Sequence, residues 1–231
     1  MKELYIFCEG PTEQMFCRQV LQPHLFPQHD GEVRPIRIAH SRRHGVVHRG
    51  GVNRYAPLKN DIHNTLNQHR RPGVYFTSMI DLYALPSDFP GKADQQRNPS
   101  NPRPFVEALE QAFGEDIADA RFIPHLQLYE YETLLFADVE SFRYSFDDCD
   151  SEIGRLAAIV DQFPSIEHIN DSPQTAPSKR IIDIFPGYYG LKTTAGPDIA
   201  ALTGVERLRE CCPHFSDWLT RLADVLAGGG E

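Results

Sequence analysis

Apolar positions along the chain switch between two periods, and the switch points predict its elements. Leu4–Cys8 is a continuous apolar and aromatic run, the pattern of a short strand buried on both faces of a parallel sheet. Gly10 and Pro11 break it, and Thr12 stands as the expected N-cap of a helix starting near Glu13, with Phe16, Val20 and Leu21 as its apolar stripe. Val33–Ala39 reads as a second strand with Ile36 and Ile38 on one face. Leu58, Ile62 and Leu66 predict a helix over Pro57–His69, and Gly73–Ile80 a strand rich in aromatic and β-branched residues. The polar, Pro-rich Leu82–Arg103 reads as a long loop. Helical spacing returns at Phe105, Leu109 and Phe113, with Gly114 as the expected C′ residue, and Phe122–Leu128 reads as another strand, irregular or at an edge because of Pro124. Glu152–Phe163, Arg180–Phe185, Val205–Cys212 and Phe215–Leu226 are predicted helical, and the C-terminal part reads as short helices.

Strands alternating with helices indicate an α/β domain with a largely parallel sheet. At 231 residues the chain allows one large or two small domains, and its 41% hydrophobic and 24% charged residues are those of an ordinary globular protein. No apolar run approaches the ~20 residues of a membrane span, and no signal peptide is expected. Five cysteines without a CxxC pair point to a reducing, cytoplasmic setting.

The net charge of −9 argues against a nucleic-acid partner until its distribution is considered. Between Arg34 and Arg54 there are six arginines and no acidic residue. Of these, Arg37, Arg42, Arg43, Arg49 and Arg54 are candidate contacts to a phosphate backbone, although a solvated loop has the same composition. His40, His44 and His48 recur every fourth residue, a metal spacing weakened by Gly45, Val46 and Val47.

Acidic residues stand where predicted strands end. Glu9 follows the first, Asp81 the third, and Glu130 and Glu132 the strand through Leu128, with Glu13 one helical turn from Glu9. Glu13 alone would also suit the helix dipole. If the strands are parallel neighbours, all five carboxylates emerge at one sheet edge. Their mutual repulsion would raise their pKa values, and Mg²⁺ or Mn²⁺ would relieve it and serve phosphodiester hydrolysis. Lys179 is the candidate cation for transition-state charge, and pairing of Lys179 or Arg180 with Glu130 or Glu132 is the structural alternative.

The Glu9–Glu13 segment (EGPTE) resembles the opening of Toprim-type domains in OLD-like nucleases. More closely, the chain resembles the DUF4276 family, considered Toprim-like. The blocks that carry this are Asp81–Pro86, Gln127–Asp138, Ile169–Pro173, Thr175–Arg180 and Cys212–Phe215. The resemblance implies a Toprim-like α/β core over 1–140, with a mostly parallel sheet flanked by helices, and a mainly helical extension over 141–231 packed on it. It also implies Mg²⁺ at Glu9, Glu13 and Asp81, nuclease activity on DNA or RNA, and a role in antiphage defence beside an AAA or ABC-type ATPase. No Walker A motif is present, so that ATPase would be a separate chain. Tyr83 stands where the Toprim pattern has a second Asp, and Tyr129 where the DUF4276 pattern often has His. The first departure admits a catalytically inactive binding or regulatory subunit. Oligomeric state is left open, a homo-oligomer included, as is which of Glu130 and Glu132 faces the metal.

Overall fold

A computed structural model describes residues 1–38, 54–94, 98, 101–170 and 174–228, and the backbone alone of 42–43, 46–47 and 84. Strand β1 (Lys2–Cys8) lies at the centre of a parallel sheet, between β2 (Gly31–Arg37) and β5 (Val74–Asp81). Beyond β5 come two short pieces, β6 (Phe122–Ile123) and β7 (Leu126–Gln127), both parallel to β5. The basic segment contributes a separate antiparallel pair, β3 (Arg42–Arg43) and β4 (Val46–Val47). The α/β class and the helical C-terminal part read from the pattern are those observed.

The apolar run of β1 has no polar face because both of its faces are covered. Leu4, Ile6 and Cys8 enter one core, Tyr5 and Phe7 the other. On the second face lie α3 (Tyr55–Gln68) and α4 (Arg103–Ile117), whose Leu58, Ile62, Leu66, Val106, Leu109 and Phe113 are buried. On the first face lie α1 (Pro11–Phe16), α5 (Asp150–Val160), α6 (Pro177–Ile184), α7 (Tyr188–Thr203), α8 (Val205–Cys211) and α9 (Pro213–Gly228). Residues beyond 141 therefore share a core with β1, including Trp218 and Leu222, which are fully buried. Each such side chain stabilises the fold by roughly 1.5–3 kcal/mol.

Several local expectations are corrected. Helix α1 starts at Pro11, with Gly10 as its N-cap, so Thr12 lies in its first turn. It continues through a π-type turn (Cys17–Leu21) into α2 (Gln22–Leu25). Helix α4 runs past Gly114 to Ile117 and is capped by Ala118, which takes a left-handed φ of 54°. Gly114 serves packing instead, since a Cβ there would stand 3.3 Å from the Pro124 ring.

The single strand expected over Phe122–Leu128 is broken at Pro124. Ser78 of β5 bridges the break, its hydroxyl donating to the His125 carbonyl (2.8 Å) and accepting the His125 N–H (3.1 Å). The expected loop after β5 opens with a 3₁₀ turn (Leu82–Ala84) and buries Leu82, Leu85 and Phe89 in the second core. Helix α7 has no counterpart among the predicted elements.

Candidate functional site

Parallel pairing fixes where the carboxylates go. Cys8 of β1 is in register with Met79 of β5, so both strands end at the same edge, releasing Glu9 and Asp81 side by side. Asp81 in turn pairs with Gln127 of β7, whose exit leads to Glu130 and Glu132. From β1 the chain goes first to β2 on one side and later to β5 on the other. The gap between β1 and β5 is thus the topological switch point, where open α/β sheets bind ligands.

Backbone groups hold the acids in place. The Asp81 backbone lies beside the Glu9 carboxylate and lowers its pKa against the effect of burial. The Gly10 N–H donates to Glu13 Oε2 (2.8 Å), folding that carboxylate back over the start of α1. The Ser178 N–H, at the start of α6, donates to Glu130 Oε2 (2.9 Å). Tyr129 holds a left-handed φ of 62° while fully buried, a costly conformation of the kind that clusters at functional sites. Its carbonyl accepts from the Tyr83 N–H (3.3 Å), tying the exits of β5 and β7 together.

The electrostatics are those of a crowded acidic site. Burial pushes Glu9 up to about 7, with the Glu13 charge adding to it. Burial likewise pushes Glu13 to about 7 against the pull of local backbone N–H groups. Asp81 lies well above the carboxylate range through burial and then through Glu9, Glu13, Glu132 and Glu130. Burial also raises Glu132, a rise that Lys192 opposes. Glu9 Oε2 and Asp81 Oδ1 are buried without a hydrogen-bond partner. Neutral or anionic, such oxygens call for a cation or donor.

The cation against this group is Lys192 of α7, whose Nζ meets Glu132 Oε1 at 2.9 Å. Burial pulls its pKa down, but Glu132, Glu130 and Asp81 more than reverse this and keep it charged. Lys179, the cation expected from the sequence, has its side chain exposed at a hollow shared with Arg155, Thr175 and Asp183. Arg180 donates to the Thr175 carbonyl (2.8 Å) and packs on the Phe163 ring. Helix α7 reaches the site because Gly196 lets it approach closely. A Cβ there would stand 3.3 Å from the Tyr131 ring and 3.5 Å from the Thr12 methyl, besides 2.9 Å from the hydroxyl of Tyr188 at the helix's own start.

Of the candidate arginines, Arg37 ends β2 beside Cys8 and is exposed, so the basic segment leaves the sheet at the carboxylate edge. Arg54 is exposed at the start of α3. Arg42 and Arg43 lie in β3, their side chains outside the described residues, as are Arg49 and the three histidines at 40, 44 and 48.

A second cluster was not foreseen. Among the described residues, Glu110, His125 and His214 are buried and present ligand atoms all within 4.8 Å of one another, a group that can hold a metal ion. Glu110 Oε1 accepts from the Leu126 N–H (2.8 Å) and lies 3.0 Å from His214 Nε2 and 3.3 Å from His125 Nδ1. Burial would raise the Glu110 pKa, but the imidazoles beside it pull it far below the usual range. His125 is depressed to about 4 by burial, whereas the Glu110 and Glu167 charges raise His214 against its burial. The available signal was Glu110 itself, a charge on the apolar stripe Val106–Leu109–Phe113–Ile117.

Among the described residues no helix is long and apolar enough to cross a membrane. Comparison with curated proteins and with solved structures gives no match. The family model described as Domain of unknown function (DUF4276) matches residues 8–223, spanning both clusters, and the chain belongs to that family.

Proposed function

We propose that the protein is a metal-dependent nuclease that hydrolyses phosphodiesters of DNA or RNA at the Glu9–Asp81 edge. The observation that carries this reading is the placing of Glu9 and Asp81 side by side at the sheet's switch point with buried oxygens left unpartnered, and with Glu13, Glu130 and Glu132 near enough to raise the Asp81 pKa. An all-oxygen donor set suits Mg²⁺ or Mn²⁺. Glu9, Glu13 and Asp81 would hold the ion, with Glu130 or Glu132 completing the set, and when bound it supplies an activated water and a counter-charge for the leaving oxygen. Lys192 holds Glu132 and contributes a positive charge beside the scissile phosphate. Arg37, Arg42, Arg43, Arg49 and Arg54, on the segment leaving the same edge, track the polynucleotide. The Toprim relation, the cytoplasmic setting, the separate ATPase partner and the defence role belong to this proposal as well.

Calorimetric titration of Mn²⁺ and Mg²⁺ into wild type and Glu9→Gln tests it, alongside cleavage of plasmid DNA and of RNA. Micromolar binding and cleavage in wild type, both lost in the variant, are expected. A folded wild type that binds neither ion, with or without nucleic acid, would overturn it. Replacing Arg42 and Arg43 together should reduce the salt slope of polynucleotide binding by about 2.

One observation favours a second reading, a binding or regulatory subunit without turnover. Tyr83 brings no carboxylate to the position of the second Asp, and its ring packs against Tyr129 (centroids 5.7 Å). Metal and nucleic-acid binding without cleavage would be its signature.

A further inference from the structure

We infer that Glu110, His125 and His214 form a second metal site, for a nitrogen-seeking divalent ion such as zinc, which fastens α4, the β6–β7 edge and α9 together. The inference is independent of the nuclease reading. It rests first on ligand spacing. Tetrahedral bonds of about 2.0–2.1 Å separate neighbouring ligand atoms by roughly 3.3–3.4 Å. Glu110 Oε1 lies 3.0 Å from His214 Nε2 and 3.3 Å from His125 Nδ1, so each imidazole stands near that spacing from the carboxylate, and all three ligand atoms lie within 4.8 Å of one another.

The second observation is an imidazole with no well-formed hydrogen bond. His125 is fully buried and neither ring nitrogen makes a hydrogen bond of good geometry. Its ring is instead stacked on Trp218 (centroids 4.1 Å, planes 7° apart) and on His214 (5.0 Å). A proton network centred on Glu110 satisfies His214, which also meets the Leu126 carbonyl at 3.2 Å, but leaves His125 unsatisfied at a cost of roughly 1–3 kcal/mol. An ion bonded through the His125 lone pair removes that cost.

Outer groups complete the arrangement expected around a metal. The Leu126 N–H orients Glu110, and Arg221 holds the far oxygen, Oε2, at 3.4 Å. The stacked Trp218 fixes the plane of His125 and is itself anchored through Nε1–H to Thr77 Oγ1 (2.9 Å). Glu110 and His214 also line a surface hollow of about 400 Å³, which gives an ion a way in. Two nitrogens and one oxygen distinguish this site from the all-oxygen edge, and direct zinc or cobalt here rather than magnesium.

Co²⁺ titration of chelator-stripped, full-length protein in a Glu9→Gln background, which silences the other site, tests the assignment by visible d–d absorption. One equivalent of Co²⁺ should give an intense tetrahedral band that Zn²⁺ displaces, and Zn²⁺ should raise the Tm of the same protein. His125→Gln and His214→Gln should abolish the band. Should either fail to fold by circular dichroism, Glu110→Gln, which keeps an acceptor for the Leu126 N–H, should weaken Co²⁺ binding at least about tenfold. A folded protein showing no stoichiometric band, or a band of unchanged affinity in the folded variants, would overturn the inference.

Discussion

Replacing Glu9 by Gln should make the metal-free protein more stable at pH 8, although Glu9 is proposed as a functional residue. Folding takes the Glu9 pKa from an ordinary 4.5 to about 7, chiefly by burial and then by the Glu13 charge. A carboxyl raised on folding keeps its proton in the folded chain while the unfolded chain has released it. Between pH 4.5 and about 7 the folded state therefore binds more protons, and stability falls as pH rises through that window. Above it the full cost of ionising Glu9 is present, on the order of 3 kcal/mol. Gln avoids that cost and relieves Glu13 of a like charge. For a chain of this size the gain corresponds to a Tm rise of about 5–10 °C at pH 8, shrinking towards zero at pH 4.5. Manganese should act in the opposite sense, since ligand at 100 times its Kd stabilises wild type by about 2.7 kcal/mol and the variant by far less. Thermal melts followed by circular dichroism between pH 4.5 and 8, in chelator and in Mn²⁺, measure both effects. A wild-type Tm that stays flat across this range, or a variant no more stable than wild type at pH 8, would refute the reasoning.

Lys192→Met leaves Glu132 buried without its ion-pair partner, and should cost about 2 kcal/mol at pH 8 by urea denaturation. That lies below the 3–5 kcal/mol of a fully buried pair because the lysine side chain keeps 31% of its exposure, and the cost should shrink at pH 5 as Glu132 takes up a proton. Lys179→Met should change stability by less than about 0.5 kcal/mol, as for other exposed positions. Gly196→Ala places a methyl against the Tyr188 hydroxyl and the Tyr131 ring, and overpacking of about 1–3 kcal/mol should appear in the same assay. Trp218→Phe removes the donor to Thr77 and opens space beside His125, so a loss of about 2–3 kcal/mol is expected by circular dichroism.

What the sequence disclosed follows from what side-chain pattern can encode. Runs such as Leu4–Cys8 and Val74–Ile80 are apolar throughout because both faces of the sheet are covered, and their ends located Glu9 and Asp81 directly. Helices α3, α4, α5 and α9 bury one stripe each, and the stripe is visible. Helix α7 hides for the opposite reason. Beside Tyr188 and Ile199 it packs through small residues, Ala195, Gly196 and Ala200, while Tyr189, Leu191 and Leu202 are exposed, so large apolar residues do not mark its inner face. With α7 unseen, Lys192 could not be placed. The His125–His214 pair is a tertiary juxtaposition across 89 positions, and only the charge of Glu110 on an apolar stripe hinted at it.

Tyr83 and Tyr129 form one device in three dimensions. A second Asp after Asp81 would add a further charge where four neighbouring carboxylates already push Asp81 upward. Tyr83 adds none, and its backbone N–H and ring both engage Tyr129. Tyr129, in its left-handed turn, redirects the chain leaving β7 so that Glu130 reaches the α6 start and Glu132 reaches Lys192. The acidic set is thereby completed from a neighbouring strand exit rather than from two positions along β5. Among the described residues Glu132 is ion-paired with Lys192 of α7 and Glu130 accepts from the start of α6, whereas Glu9 Oε2 and Asp81 Oδ1 have no hydrogen-bond partner. That difference leaves Glu9 and Asp81, rather than Glu130 and Glu132, as the oxygens most in need of an ion.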